Sequence, residues 1–196
     1  MLPLGLLSII TVALILLYLV TLRTRCVVSH KYMTTAQTLL QKRDLLGFLS
    51  FSTHRREIIA IIMNRTIDFI ARNPDGPLTQ AREIAQTEGA REANVLLQRI
   101  LWLSDIATIS PMLGLLGTVF GMIHSFNIMA NDVASTRPML LAGGVGQALI
   151  ATAGGLVVGI LAMSAYALFR SRVHAMISDM EAATVQLLAL LPEREA

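Results

Sequence analysis

Ser110-Pro-Met-Leu-Gly-Leu-Leu-Gly-Thr-Val-Phe-Gly121 and Gly143-Gly-Val-Gly-Gln-Ala-Leu-Ile-Ala-Thr-Ala-Gly-Gly155 are the stretches on which the fold of this chain turns. Each sets one Thr among small residues inside a long uncharged run. No Asp, Glu, Lys or Arg occurs between Ile106 and Asn131, and none between Pro138 and Phe169. Both runs exceed the roughly 20 apolar residues that a helix needs to cross a bilayer. Lipid-facing positions are well served by Leu, yet Gly, Ala, Ser and Thr recur here. That pattern predicts helices packed closely on one another, with a few hydroxyls held at membrane depth.

A third apolar run, Leu2 to Leu22, carries no charge and is followed at once by Arg23 and Arg25. It lacks a basic leader and a convincing small-residue cleavage site, so it reads as a retained transmembrane helix. Of the 196 residues 54% are hydrophobic and only 15% charged, against about 25% in soluble domains. The expected fold is therefore an all-α membrane protein with three transmembrane helices and long cytoplasmic helical extensions. Its segments are helix 1 (1–22), a cytoplasmic helical region (23–99), helix 2 (100–130), a short periplasmic loop (131–137), helix 3 (138–169) and a cytoplasmic C-terminal helix (170–196).

Charge orients these segments. Twelve Lys/Arg lie in 23–99 and three after the last span, but only Arg137 lies in the loop between spans two and three. The positive-inside rule puts the N-terminus outside and the C-terminus in the cytoplasm. Arg23, Arg25, Arg99, Arg170 and Arg172, all close to span ends, agree. The single cysteine, Cys26, permits no intramolecular disulfide and reads as a reduced interfacial thiol.

Between the first two spans, Val27–Leu49 and Thr53–Ala71 each show the apolar spacing of amphipathic helices. Asn73-Pro-Asp-Gly-Pro77 is the strongest break. From Leu78 only Gly89 interrupts the helical pattern before Pro111, so this helix is expected to run straight into span two. Pro138 to Phe169 would extend roughly 48 Å as one helix, longer than the roughly 30 Å hydrocarbon core. Span three is therefore expected to continue into the tail, with Ile177, Met180, Val185, Leu187, Leu188 and Leu191 available for packing.

Ser110, Gly114, Gly117/Thr118, Gly121 and Ser125 share one face of span two, and Ala148, Thr152, Gly155, Gly159 and Ala162 share one face of span three. Gly117/Gly121 and Gly155/Gly159 are small-xxx-small pairs that allow close backbone approach. Spacing alone leaves two readings of the threonines. Their hydroxyls either return to their own i−4 carbonyls as part of packing or serve a ligand. Asp105 is the candidate cytoplasmic mouth, and His124 lies toward the outer half of span two. No carboxylate sits in mid-span, where proton-moving proteins commonly place one, so a proton conductor built on this chain needs one from a partner. Walker and nucleophile-elbow motifs are absent, and the histidines and cysteine are too dispersed for a metal site. No enzymatic activity, cofactor, metal or nucleic-acid partner is expected.

Pro111-Met-Leu-Gly-Leu-Leu-Gly-Thr-Val-Phe-Gly-Met122, with Gly146-Gln-Ala-Leu-Ile-Ala-Thr-Ala-Gly-Gly-Leu156, closely resembles the TolQ/ExbB/MotA proton-channel family. Three spans and this length resemble its TolQ/ExbB branch. The resemblance implies a homopentamer around a central pore that holds two copies of an ExbD/TolR-like single-span subunit, each carrying an Asp. It also implies a TonB/TolA-like envelope-spanning effector, and a protein embedded in membrane lipid. The family's pore threonines correspond to Thr118 and Thr152, which makes these and Gln147 the expected ion-pathway residues. Gly114, Gly117, Gly121, Gly155 and Gly159 become its packing residues. Many relatives carry Glu where this chain has Gln147, a polar side chain that hydrogen-bonds but does not titrate. The function implied is the pore-forming subunit of a proton-driven, energy-transducing complex. A membrane scaffold that conducts no ions is the alternative.

Overall fold

The computed structural model describes residues 2–22, 27–42, 44–53, 55, 57–73, 76–131 and 138–191. The helices are α1 (Leu2–Thr21), α2 (His30–Gln41), α3 (Leu45–Thr53), α4 (Ile58–Arg72), α5 (Leu78–Asn131) and α6 (Pro138–Leu188). Arg23, Arg25, Cys26, residues 132–137 and Arg194 lie outside the described residues. Packing divides the chain into two units: Met1–Val20 with Ile100–Phe169, and Thr21–Arg99 with Arg170–Ala196. The cuts fall beside Arg99 and Arg170, the basic residues that flank the two long apolar runs.

The first unit holds α1 and the uncharged lengths of α5 and α6. Among the described residues three helices are long and apolar enough to cross a membrane, the candidate spans lying within Pro3–Thr21, Leu78–Met129 and Ala142–Leu188. Their outer faces carry large side chains such as Leu16, Phe120 and Ile150, each at least 60% exposed. Such contiguous apolar surface suits lipid and not water. Inside, Leu7 and Leu14 of α1 pack on Ile106, Ala107, Val158 and Ala162. Thr11 is buried, and its hydroxyl donates to the Leu7 carbonyl at 2.8 Å, so α1 brings no unsatisfied hydroxyl to that contact. Tyr18 meets Phe169 edge to face, with ring centroids 5.9 Å apart. The helix expected from Leu78 does continue unbroken through Pro111. A proline that would break a soluble helix is tolerated where neighbouring helices satisfy or shield the backbone it disturbs.

The second unit packs α2, α3 and α4 against the remaining lengths of α5 and α6. Ile59, Ile62, Met63 and Ile67 give α4 its buried stripe, which meets Tyr32, Ala36 and Leu40 of α2, Phe48 of α3, Ala85 of α5, and Met176, Met180 and Leu187 of α6. The repeat of three and four residues is what turns an isoleucine-rich segment into one apolar face. Tyr32 stacks on Phe51, and its hydroxyl lies 3.0 Å from Ser52 Oγ. Burial pushes its phenol up to about 12, against the opposing effect of the Ser52 hydrogen bond. Arg65 pairs with Glu88 and ties α4 to α5. That pair is half exposed on the arginine side and adds little beyond the apolar core.

Two expectations are corrected here. Val27–Leu49 is not one helix, because the chain stops at Gln41 and restarts at Leu45. Asp44 causes the restart: its carboxylate accepts the Gly47 amide at 2.8 Å, and its carbonyl accepts the first helical amide, from Phe48. These are the bonds of an N-cap. Val185, expected to pack, is 67% exposed, whereas Met180, Leu187, Leu188 and Leu191 are buried. It falls off the face defined by residues 176, 180, 183, 187 and 191.

Candidate functional site

Within the first unit, α5 and α6 approach along their small-residue faces in opposite directions. The glycines measure how closely. A Cβ placed on Gly155 would stand 2.6 Å from the Ser110 carbonyl oxygen and 3.0 Å from the Gly114 Cα. On Gly114 it would meet the Ala151 carbonyl at 3.0 Å and the Thr152 Cα at 3.1 Å. On Gly117 and Gly121 it would meet the Cβ atoms of Ala151 and Ala148, each at 2.9 Å. On Gly159 it would meet Pro111 Cγ at 3.0 Å and the Ala107 carbonyl at 3.1 Å. That carbonyl is the one whose i→i−4 amide Pro111 removes. The five glycines therefore sit at the crossing of two helices of one chain, where contact is largely backbone on backbone. Gly143, Gly146 and Gly154, by contrast, face open space.

The hydroxyls on this crossing are committed in different ways. Ser125 returns its proton to the Gly121 carbonyl at 2.8 Å, and Thr118 to Leu115 at 2.6 Å. Thr152 does not follow them. Its hydroxyl donates across the crossing to the Gly114 carbonyl at 3.1 Å, a side-chain hydrogen bond that joins α6 to α5. Sequence reasoning left a return to the residue's own helix open, and a missing side chain at Gly114 is what makes the crossing bond geometrically available. Ser110 is fully buried beside it, with no hydrogen-bond partner for its hydroxyl among the described residues.

Not every expected site residue joins this cluster. Gln147 and Asp105 are exposed, Gln147 one residue before the packed Ala148 and Asp105 nearer the start of the apolar length of α5. His124 is exposed as well. Thr118 borders a shallow hollow of about 510 Å³ on α5, walled by Val119, Met122, Ile123 and Phe126 and closed by Asn127. Among the described residues no cluster of three His, Cys, Asp or Glu could hold a metal ion. The site therefore offers hydroxyls and backbone carbonyls on apolar walls, and no ionisable group of its own.

Residues 54–182 match the MotA/TolQ/ExbB proton channel family. This chain belongs to that family. The match runs beyond the two glycine-rich segments to take in α4 and most of α6. Among its relatives, the Tol-Pal system protein TolQ of Haemophilus influenzae is 37% identical over 113 residues, 55% of this chain and 48% of that protein. The biopolymer transport protein exbB1 of Vibrio cholerae is 45% identical over 62 residues, 32% of this chain and 27% of its own length. ExbB of Salmonella typhimurium is 36% identical over 89 residues, covering 45% and 36% respectively. The chain thus spans about half the length of the first relative and less of the other two.

Proposed function

We propose that this chain is the pore-forming stator subunit of a proton-driven, energy-transducing complex in a bacterial cytoplasmic membrane. The observation that carries the reading is the pair Thr118 and Thr152, hydroxyls on a glycine-packed helix pair whose runs 106–131 and 138–169 hold no Asp, Glu, Lys or Arg. Five copies surround a pore, α5 and α6 line it, and two single-span ExbD/TolR-like helices occupy it. The partner supplies the carboxylate that this chain lacks. Proton binding neutralises it, and the neutral helix pair turns against apolar walls that offer few contacts to lock one angle. A TonB/TolA-like effector carries the movement to the envelope. Gln147 contributes hydrogen bonding, and Asp105 marks the cytoplasmic mouth.

Proton uptake into liposomes tests this directly. Uptake is expected only when the chain and a single-span, Asp-bearing partner are reconstituted together. Complexes that assemble but take up no protons under an imposed gradient would favour a scaffold instead.

Orientation is N-terminus outside and C-terminus in the cytoplasm, because the basic residues near the spans, Arg137 apart, lie on one side. With Cys26 replaced, a cysteine at Ser135 should react with an impermeant reagent from the periplasm. One at Ser178 should stay protected until the membrane is opened. The reverse labelling pattern would sink the orientation.

A further inference from the structure

We infer that the two threonines meet the partner's carboxyl as hydrogen-bond acceptors, so that this helix pair selects the protonated acid, and that the Gly114 carbonyl fixes this polarity. The inference rests on the pore reading above and adds to it the protonation state that the site recognises.

The polarity follows from the bonds already made. A carbonyl oxygen only accepts, so in each of the contacts Thr118–Leu115 and Thr152–Gly114 the threonine must donate its single hydroxyl proton. Each hydroxyl then retains lone pairs and no proton. An ionised carboxylate is an acceptor only and finds no donor in either threonine. A protonated carboxyl can place its O–H on a threonine lone pair. In this arrangement the neutral acid is the better guest, and contact with the threonines raises the carboxyl's affinity for a proton.

The two threonines differ in what they would give up to serve a carboxylate. Thr118 would release a carbonyl of its own helix three residues back, a local change. Thr152 would release Gly114, and with it a bond that joins α5 to α6. At that point a Cβ on Gly114 would meet the Ala151 carbonyl, the Thr152 Cα and the Gly155 Cα, all within 3.3 Å. Ionisation of the partner's carboxyl is therefore coupled to the helix crossing through Thr152. Gly114 is a positioning residue: buried against α6, its bare backbone and carbonyl aim the hydroxyl.

Infrared titration of the partner carboxyl in the reconstituted complex tests the sign. In Thr152→Val the acceptor is lost, and the titration midpoint should fall by about one pH unit. Thr152→Ser keeps the lone pairs and should leave the midpoint close to wild type. Gly114→Ala, which presses α6 away and draws the unaltered Thr152 hydroxyl off the Gly114 carbonyl, should shift it in the same direction as Thr152→Val. A rise in Thr152→Val would mean that the threonine donates to the carboxylate, and would overturn the inference. An unmoved midpoint with ion-driven activity lost would also overturn it, while leaving the pore reading intact. Absence of any titrating partner carboxyl in the wild-type complex would overturn both.

Discussion

Gly155→Leu is expected to abolish the assembled protein, while Gly154→Leu at the adjacent position is tolerated. The contrast comes from what each side chain would meet. A single Cβ on Gly155 already lies 2.6 Å from a backbone oxygen and 3.0 Å from a backbone carbon of α5. Neither atom can turn aside as a flexible side chain would. The helices must separate, and separation also breaks the approaches at Gly114 and Gly159 on either side. Overpacking a tight contact costs typically about 1–3 kcal/mol, and a leucine driven into backbone belongs at the upper end or beyond. Gly154 has nothing within 4 Å. Native mass spectrometry of the purified chain in detergent should show loss of the oligomer and of yield for Gly155→Leu, and a normal oligomer for Gly154→Leu. Gly117→Leu should resemble Gly155→Leu more mildly, since its obstacle is the Cβ of Ala151 and not backbone. A fully populated oligomer in Gly155→Leu would show that this crossing does not hold the protein together.

Much of this was legible in the residues. Uncharged runs give the spans, because the absence of ionisable side chains over so many positions has few soluble explanations. The glycine faces of α5 and α6 were visible at their i, i+3, i+4 spacing. Their partner was not, since periodicity defines a face without saying what covers it. Only coordinates show that Gly114 meets Thr152 and Gly155 of the same chain. The break between α2 and α3 was missed for a related reason. Lys42-Arg43-Asp44 reads as an ordinary solvated stretch of helix, and the signal that starts the new helix is a single carboxylate placed three residues before Gly47. Val185 was misplaced because apolar identity was counted ahead of angular position. Thr152 is the most instructive case. Spacing ranks it with any buried threonine that bonds to its own turn, and its acceptor on another helix depends on the three-dimensional approach of a glycine 38 residues away.

Thr152→Val should reduce ion-driven activity by about tenfold or more, the order expected when one buried hydrogen bond goes unmade at the reacting group. Assembly should survive. Hydrogen bonds between membrane helices contribute on average about 0.6 kcal/mol, and the crossing keeps every backbone contact that its glycines provide. Valine also preserves the branched shape of threonine, so the packing against Gly114 is disturbed only by loss of the hydroxyl. The measurement is proton uptake, or the driven envelope process, normalised to complex recovered by native mass spectrometry. Thr152→Ser should retain more activity than Thr152→Val, because donor and acceptor remain. Gln147→Glu should be tolerated if that exposed position only hydrogen-bonds. Activity lost in Thr152→Val at unchanged assembly is what distinguishes a hydroxyl that serves the moving carboxyl from one that merely ties α5 to α6. If Thr152→Val drives uptake at the wild-type rate, the bond to Gly114 is packing alone and the pore assignment of this residue is wrong.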